Sequence, residues 1–280
     1  MTEERGTLYM VATPIGNLGD VTLRAIEVLR SVALVAAEDT RLTRRLWARH
    51  DIHTRLVSYH AHSAPERTTQ LLGRLRTGDD IALVTDAGTP LVSDPGEGLV
   101  AAWVSEGGRV VPIPGASAVL SALVVSGIAG PRWSFEGFLP RRGGERTERL
   151  ARIAADQRAS ILFESPGRTA RTVHDLEAAC GSERSAVVCR ELTKRHEEVL
   201  RGNLSELSRL LADRALKGEV TIVVAGAPAN ASSMSLEEGR DRVRALVAEG
   251  MQRSAAAREV AAATGLPRRE LFAVEDEVDR

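Results

Sequence analysis

Ile81-Ala82-Leu83-Val84-Thr85-Asp86-Ala87-Gly88-Thr89-Pro90-Leu91-Val92-Ser93-Asp94-Pro95-Gly96 is the stretch that decides the fold. Its first four residues are all apolar, which predicts a strand buried on both faces, as in a parallel sheet covered by helices. The next twelve crowd two Asp, two Gly and two Pro into one turn-rich loop. The same grammar repeats on either side. Strands are predicted at Leu8–Ala12, Val32–Ala36, Leu56–Tyr59 and Val110–Ile113, and helices at Thr22–Arg30, Thr40–His50, Pro65–Arg76 and Pro95–Glu106. Strands alternating with helices give an α/β class with a mostly parallel sheet, whose ligands bind where loops leave the carboxyl ends of the strands.

Three such loops stand out. Asp94-Pro95-Gly96-Glu97 reads as a helix start, with Asp94 as N-cap, proline in the first turn and Glu97 at its third position. Asp86 starts no helix and reads either as a ligand contact or as the head of an Asx-turn. Thr13-Pro14-Ile15-Gly16-Asn17-Leu18-Gly19-Asp20 follows the first strand, but lacks both the dinucleotide-fold spacing and the P-loop spacing of glycines. Pro112-Ile113-Pro114-Gly115-Ala116-Ser117-Ala118 follows the fifth strand, and Ser117 reads equally as a helix cap or a ligand contact. Three small-residue loops at one sheet edge predict a cleft.

Gly127-Ile128-Ala129-Gly130-Pro131 marks a break. Beyond it, strands at Ser134–Glu136, Ser160–Phe163, Ala186–Cys189, Glu198–Arg201 and Val220–Val224, with helices near Thr169–Ala179 and Leu204–Leu216, predict a smaller α/β domain with a mixed sheet. A linker at Gly226–Ser233 leads into a helical tail. The expected division is 1–126, 127–228 and 229–280. In the tail, a helix capped by Ser254, a turn at Gly265-Leu266-Pro267 and a helix over Arg268–Val274 have the spacing of a helix-turn-helix or of a packing module, and the chain ends acidic.

The 280 residues carry 37 Lys and Arg against 38 Asp and Glu, a net charge of -1, so no global field draws polyanions or anionic lipid. Aromatic residues are 3%, too few for extensive base stacking. Cys180 and Cys189 sit in apolar stretches and are expected as reduced thiols. No Cys/His cluster predicts a metal site. The start, MTEERGTLYM, is too acidic for a signal peptide, and no apolar run approaches the ~20 residues of a membrane helix. A cytoplasmic protein is expected.

The segments TPIGNLGD, AAEDTR, DAGTPLVSDPG, PGASA, EGFLPR, RELTK and GEVTIVV occur in this order from Thr13 to Val224. In order and spacing they resemble the small-subunit ribosomal RNA methyltransferases of the tetrapyrrole-methylase superfamily. The resemblance, running from about Gly6 to Ala225, implies the two-domain class III S-adenosylmethionine methyltransferase fold with a small helical C-terminal module. It implies a homodimer with S-adenosylmethionine between the domains, and 2′-O-methylation of a cytidine ribose in the decoding region of small-subunit ribosomal RNA. The cofactor residues it implies are Pro14, Asp86, Ala87, Gly88, Pro90, Leu91, Ser93, Ser117, Ala118, Leu139 and Thr221.

Methyl transfer from a sulfonium to a hydroxyl is an in-line displacement that rests mostly on alignment and is helped by a base. Asp39, Arg41, His60, Glu191 and Lys194 are the candidates. Each has a structural reading beside it: an ion pair at a helix start for Asp39 and Arg41, packing for His60, a charged turn for Glu191 and Lys194. For RNA, the loop Arg141–Arg146 and the arginines Arg41, Arg44, Arg45 and Arg49 are the local basic features. A tetrapyrrole methyltransferase of the same fold and a non-catalytic RNA-binding assembly factor remain as alternatives.

Overall fold

The computed structural model describes residues 5–60, 64–128, 130–228, 236–264 and 266–272. Residues 1–226 form one compact unit and 227–280 a second.

The first sheet is all parallel and contains β1 (Thr7–Val11), β2 (Leu34–Ala37), β3 (Leu56–Ser58), β4 (Ile81–Val84) and β5 (Arg109–Ile113), in the order β3-β2-β4-β1-β5. Strand period two sends alternate side chains to opposite faces. Val11, Val35, Ala82 and Val84 meet Leu29 of α1 (Leu23–Ser31) and Leu46 and Trp47 of α2 (Thr40–His50). Leu8, Ala36, Ile81 and Leu83 meet Leu71 and Leu75 of α3 (Ala64–Arg76) and Leu99 and Trp103 of α4 (Glu97–Ser105). Both faces are covered, which is why the central strands β2 (LVAA) and β4 (IALV) are apolar throughout. Gly108 lies against the Trp103 ring, where a Cβ would come within 2.1 Å of a ring atom.

The second sheet is mixed. It contains β6 (Trp133–Phe138), β7 (Ala159–Glu164), β8 (Ser185–Arg190), β9 (Glu198–Asn203) and β10 (Val220–Val224), in the order β6-β7-β10-β8-β9. Only β6–β7 is parallel among its pairs, and it carries a register shift between Phe135 and Gly137. One face packs on α6 (Gly144–Ala155), α7 (Pro166–Cys180) and α8 (Leu204–Leu211). The other meets α5 (Ala118–Ser126) together with Ile15, Ala87 and Val92 from the loops of the first sheet. Those loops therefore rest on the second sheet. Cys180 and Cys189 are free thiols.

The second unit packs α9 (Leu236–Ala248), α10 (Arg253–Thr264) and α11 (Arg268–Phe272) around Val243, Leu246, Val260 and Leu271.

Four sequence expectations are corrected. Helix α4 starts at Glu97 with Gly96 as its N-cap, so Asp94 caps nothing. Gly96 has φ 139°, and a Cβ there would lie 2.7 Å from the Leu83 side chain; this glycine turn displaces the helix start. The stretch Arg141–Arg146 is not one loop. It runs into α6, and Arg146 is buried, held by Asp175, Thr172 and the Pro140 carbonyl. Helix α8 ends at Leu211, short of Leu216. Ser254 lies inside α10 rather than capping it. Ala129, most of the linker, Gly265 and the acidic end lie outside the described residues.

Candidate active site

The loops after β1 and β4 are joined first. Thr13 and Gly88 exchange both backbone hydrogen bonds, at 2.8 and 3.0 Å, and the Thr13 hydroxyl donates to the Thr85 carbonyl at 3.0 Å. The loop after β2 joins them through the Asp39 amide, which donates to Asp86 Oδ1 at 2.8 Å. Asp86 thus braces a neighbouring loop instead of folding its own turn. The PGASA loop closes in through Thr89, whose hydroxyl donates to the Ala116 carbonyl at 3.3 Å.

Between these loops and the second sheet lies a cavity of about 400 Å³, within the ordinary range for small-molecule sites. Ile15, Val92, Phe138, Phe163 and Val220 give it an apolar wall. Glu38, Asp86, Asp94, Glu164 and Glu219 also line it, and no Lys or Arg does among the described residues. Of the residues named from sequence, Asp86, Ala87, Gly88, Ser93, Ser117, Ala118 and Thr221 converge there. Ser117 does both things its reading offered: it lines the cavity and its hydroxyl accepts the Leu120 N–H as the cap of α5. Pro14, Pro90 and Leu91 lie in the same loops without lining the cavity, and Leu139 is buried in the core beneath α6 and α7. Sequence reasoning missed Glu38, Thr85, Glu164 and Glu219; Glu38 and Glu219 lie in quoted motifs and Thr85 adjoins Asp86, whereas Glu164 only follows the strand expected at Ser160–Phe163 and lies in no quoted motif.

The carboxylates are not equivalent. Burial pushes Asp94 up to about 6; the Thr85 hydroxyl opposes the rise, and the charges of Glu38 and Asp86 reinforce it. The Thr85 hydroxyl also lies 3.0 Å from Glu38 Oε2, to which it donates. Burial also raises Asp86, against the Asp39 amide and with the charges of Glu38 and Asp39. Glu164 has a fully buried side chain, which accepts from the Ser165 amide and the Thr172 hydroxyl at 2.7 Å each and lies 3.2 Å from Arg168.

None of the five catalytic candidates belongs to the described lining of this cavity. Asp39 caps α2, and its carboxylate is held at about 2, chiefly by the Arg41 guanidinium. His60 is exposed just after β3. Lys194 donates to Glu191 at 2.8 Å and to Glu219 at 2.9 Å. Burial pulls its ammonium down, but these two bonds outweigh it and hold the pKa above the ordinary value. A lysine so held is a cation, not a base.

Backbone strain marks the same region. Five described non-glycine residues have positive φ, and four of them, Leu91, Ser93, Glu191 and Thr193, belong to the loops after β4 and β8. Each such residue costs on the order of 1–3 kcal/mol, and strain of this kind concentrates at functional sites.

Glu164 and Glu219 are paired with Arg168 and Lys194 outside the lining, which leaves Glu38, Asp86 and Asp94 beside an apolar wall, an arrangement that fits a small ligand carrying both positive charge and apolar surface. Comparison with known proteins agrees. Residues 7–208 match the family model of tetrapyrrole (corrin/porphyrin) methylases. A Synechocystis sp. protein described as ribosomal RNA small subunit methyltransferase I is 48% identical over 275 residues, spanning 98% of this chain and 99% of the relative. A protein of the same description from Halalkalibacterium halodurans is 41% identical, over 96% of this chain and 94% of the relative. The uroporphyrin-III C-methyltransferase of Thermus thermophilus, solved with S-adenosyl homocysteine, shares the fold with a TM-score of 0.59 at 18% identity, over 79% of this chain and 97% of that one. The chain belongs to the tetrapyrrole methylase family and, within it, to the ribosomal RNA small subunit methyltransferase I branch.

Proposed function

We propose that this protein is an S-adenosylmethionine-dependent methyltransferase of small-subunit ribosomal RNA, acting on the ribose 2′-oxygen of a cytidine in the decoding region. The observation that carries the cofactor assignment is the cavity itself, where Glu38, Asp86 and Asp94 face an apolar wall and no lysine or arginine belongs to the described lining. The family relationship supports the RNA assignment.

Bound there, S-adenosylmethionine supplies an activated methyl group on a sulfonium. Asp86 and Glu38 stabilise positive charge at the cavity wall, while Phe138, Phe163 and Val220 take up apolar surface. Ser93, Ser117 and Thr221 offer hydroxyls to polar edges. Asp94 takes the proton of the attacking hydroxyl, a role supported by its place on the wall and a pKa of about 6, near the operating range of a general base. Residues 1–126 and 127–228 serve as two domains, one per sheet, each providing one wall, with 229–280 as an appended helical module.

The working form is a cytoplasmic homodimer. Helix α5 carries no charged residue, and Leu120 and Val124, one turn apart, are exposed on it at 51% and 78%, which supports a second copy covering that face. No described helix is long and apolar enough to cross a membrane.

The test is methylation with labelled cofactor on purified small subunits and on protein-free RNA, followed by nucleoside analysis. Label on a cytidine ribose, faster on subunits, is expected. Label on a base, or on a tetrapyrrole instead, overturns the assignment.

A further inference from the structure

Helix α2 differs from its neighbours in charge. Among the described helices it alone carries arginines with no Asp or Glu in its span. Every other arginine-bearing helix interleaves acids, as in Glu145, Glu148 and the arginines of α6, or Glu237, Glu238, Asp241 and the arginines of α9. Its inner face, Thr43, Leu46 and Trp47, is buried, so Arg41, Arg44, Arg45 and Arg49 all project outward and are exposed. Arg41 is tied to the cap residue Asp39. Arg44, Arg45 and Arg49 have no carboxylate within 4 Å among the described residues. A merely solvated face would not need four like charges, which repel at three- and four-residue spacing.

The position of the row gives it a use. Asp39, which caps α2, donates its amide to Asp86 in the cavity wall. The arginines thus begin within one helical turn of the cavity and continue along the helix at four-residue steps of about 6 Å. We infer that the outward face of α2 is the phosphate-binding track that brings the RNA strand to the cavity. This rests on the methyltransferase reading above and adds the surface by which a protein of net charge -1 grips a polyanion. Guanidinium groups on a rigid helix suit phosphate oxygens, which they engage with paired donors. The contact carries no sequence information; it fixes the register of the strand.

The experiment uses the full chain, small ribosomal subunits lacking the modification, and labelled S-adenosylmethionine over a series of KCl concentrations. The wild-type protein comes first: no transfer to subunits at any salt refutes the function itself, independently of α2. Given transfer, Arg44→Glu/Arg45→Glu/Arg49→Glu is expected to raise KM for subunits at least tenfold. It should also lower the log–log salt slope by about 2–3, since each phosphate contact contributes about 0.7–0.9. Cofactor affinity and Tm should stay at wild-type values. The matching triple Lys variant keeps the charge and should restore both the slope and most of the KM. Wild-type KM and slope in the Glu variant overturn the inference. So does a parallel loss of cofactor binding and Tm, which would make the row a folding element.

Discussion

Asp94 is where a single side chain changes meaning between sequence and structure. Read as a cap, its removal costs about 1 kcal/mol. As a half-buried carboxylate raised from 3.8 to about 6, it has the opposite effect on stability. Its folded pKa lies above its unfolded one, so the folded chain gains protons between those values. The associated stability is complete below pH 3.8 and is lost as pH rises through 6. Asp94→Asn is therefore expected to melt above wild type at pH 8 and alongside it at pH 4. Its kcat should fall by about 10² or more, with cofactor affinity little changed, as for a lost general base. Thermal melts at both pH values and steady-state kinetics check this; a lower Tm at pH 8 would restore the capping role. Asp86→Ala gives the complementary result: weaker S-adenosylmethionine binding by calorimetry and, because its carboxylate also holds the Asp39 amide, a loosened start of α2.

Helix ends carry the next set of expectations. Asn203 makes a capping box at α8, its side chain accepting the Glu206 amide at 2.8 Å while Glu206 accepts the Asn203 amide at 3.0 Å. Asn203→Ala should cost about 1 kcal/mol in denaturant unfolding and leave cofactor affinity alone. Arg146→Ala should cost more, about 3 kcal/mol, because it strips a buried guanidinium from Asp175, Thr172 and the Pro140 carbonyl. The strands were legible because their apolar runs are short and bounded by turn residues. Helix α5 was not, since AVLSALVVS is apolar almost throughout and shows no helical periodicity. Helix α6 was hidden by its start: two glycines after two arginines read as a flexible loop, yet Gly143, with φ 92°, is the turn into the helix.

At the scale of the molecule, the cavity is drawn from residues as far apart as Ile15 and Thr221, all within the first compact unit. Removing 227–280 is therefore expected to leave S-adenosylmethionine affinity within about twofold, which calorimetry on the truncated chain measures. This assembly from distant segments also explains why the site was half legible. The loops at strand ends named Asp86, Ser93 and Ser117. Glu164 and Glu219 enter only because the second sheet turns one face toward those loops, a packing choice that no local pattern encodes.

The order of the first sheet has a consequence for synthesis. The N-terminal strand β1 lies between β4 and β5, with Leu8 opposite Ile81 on one side and Val110 on the other. As the chain leaves the ribosome, β1 has no partner until β4 follows it, about 4–15 s later at ordinary elongation rates. Until then β2 can pair only with β3, and the apolar edges of all three strands remain open to solvent. The nascent chain in this interval is a natural client for a holding chaperone. Stalling translation before Ile81 should leave β1 open to protease, and stalling after Ile113 has cleared the exit tunnel should protect it.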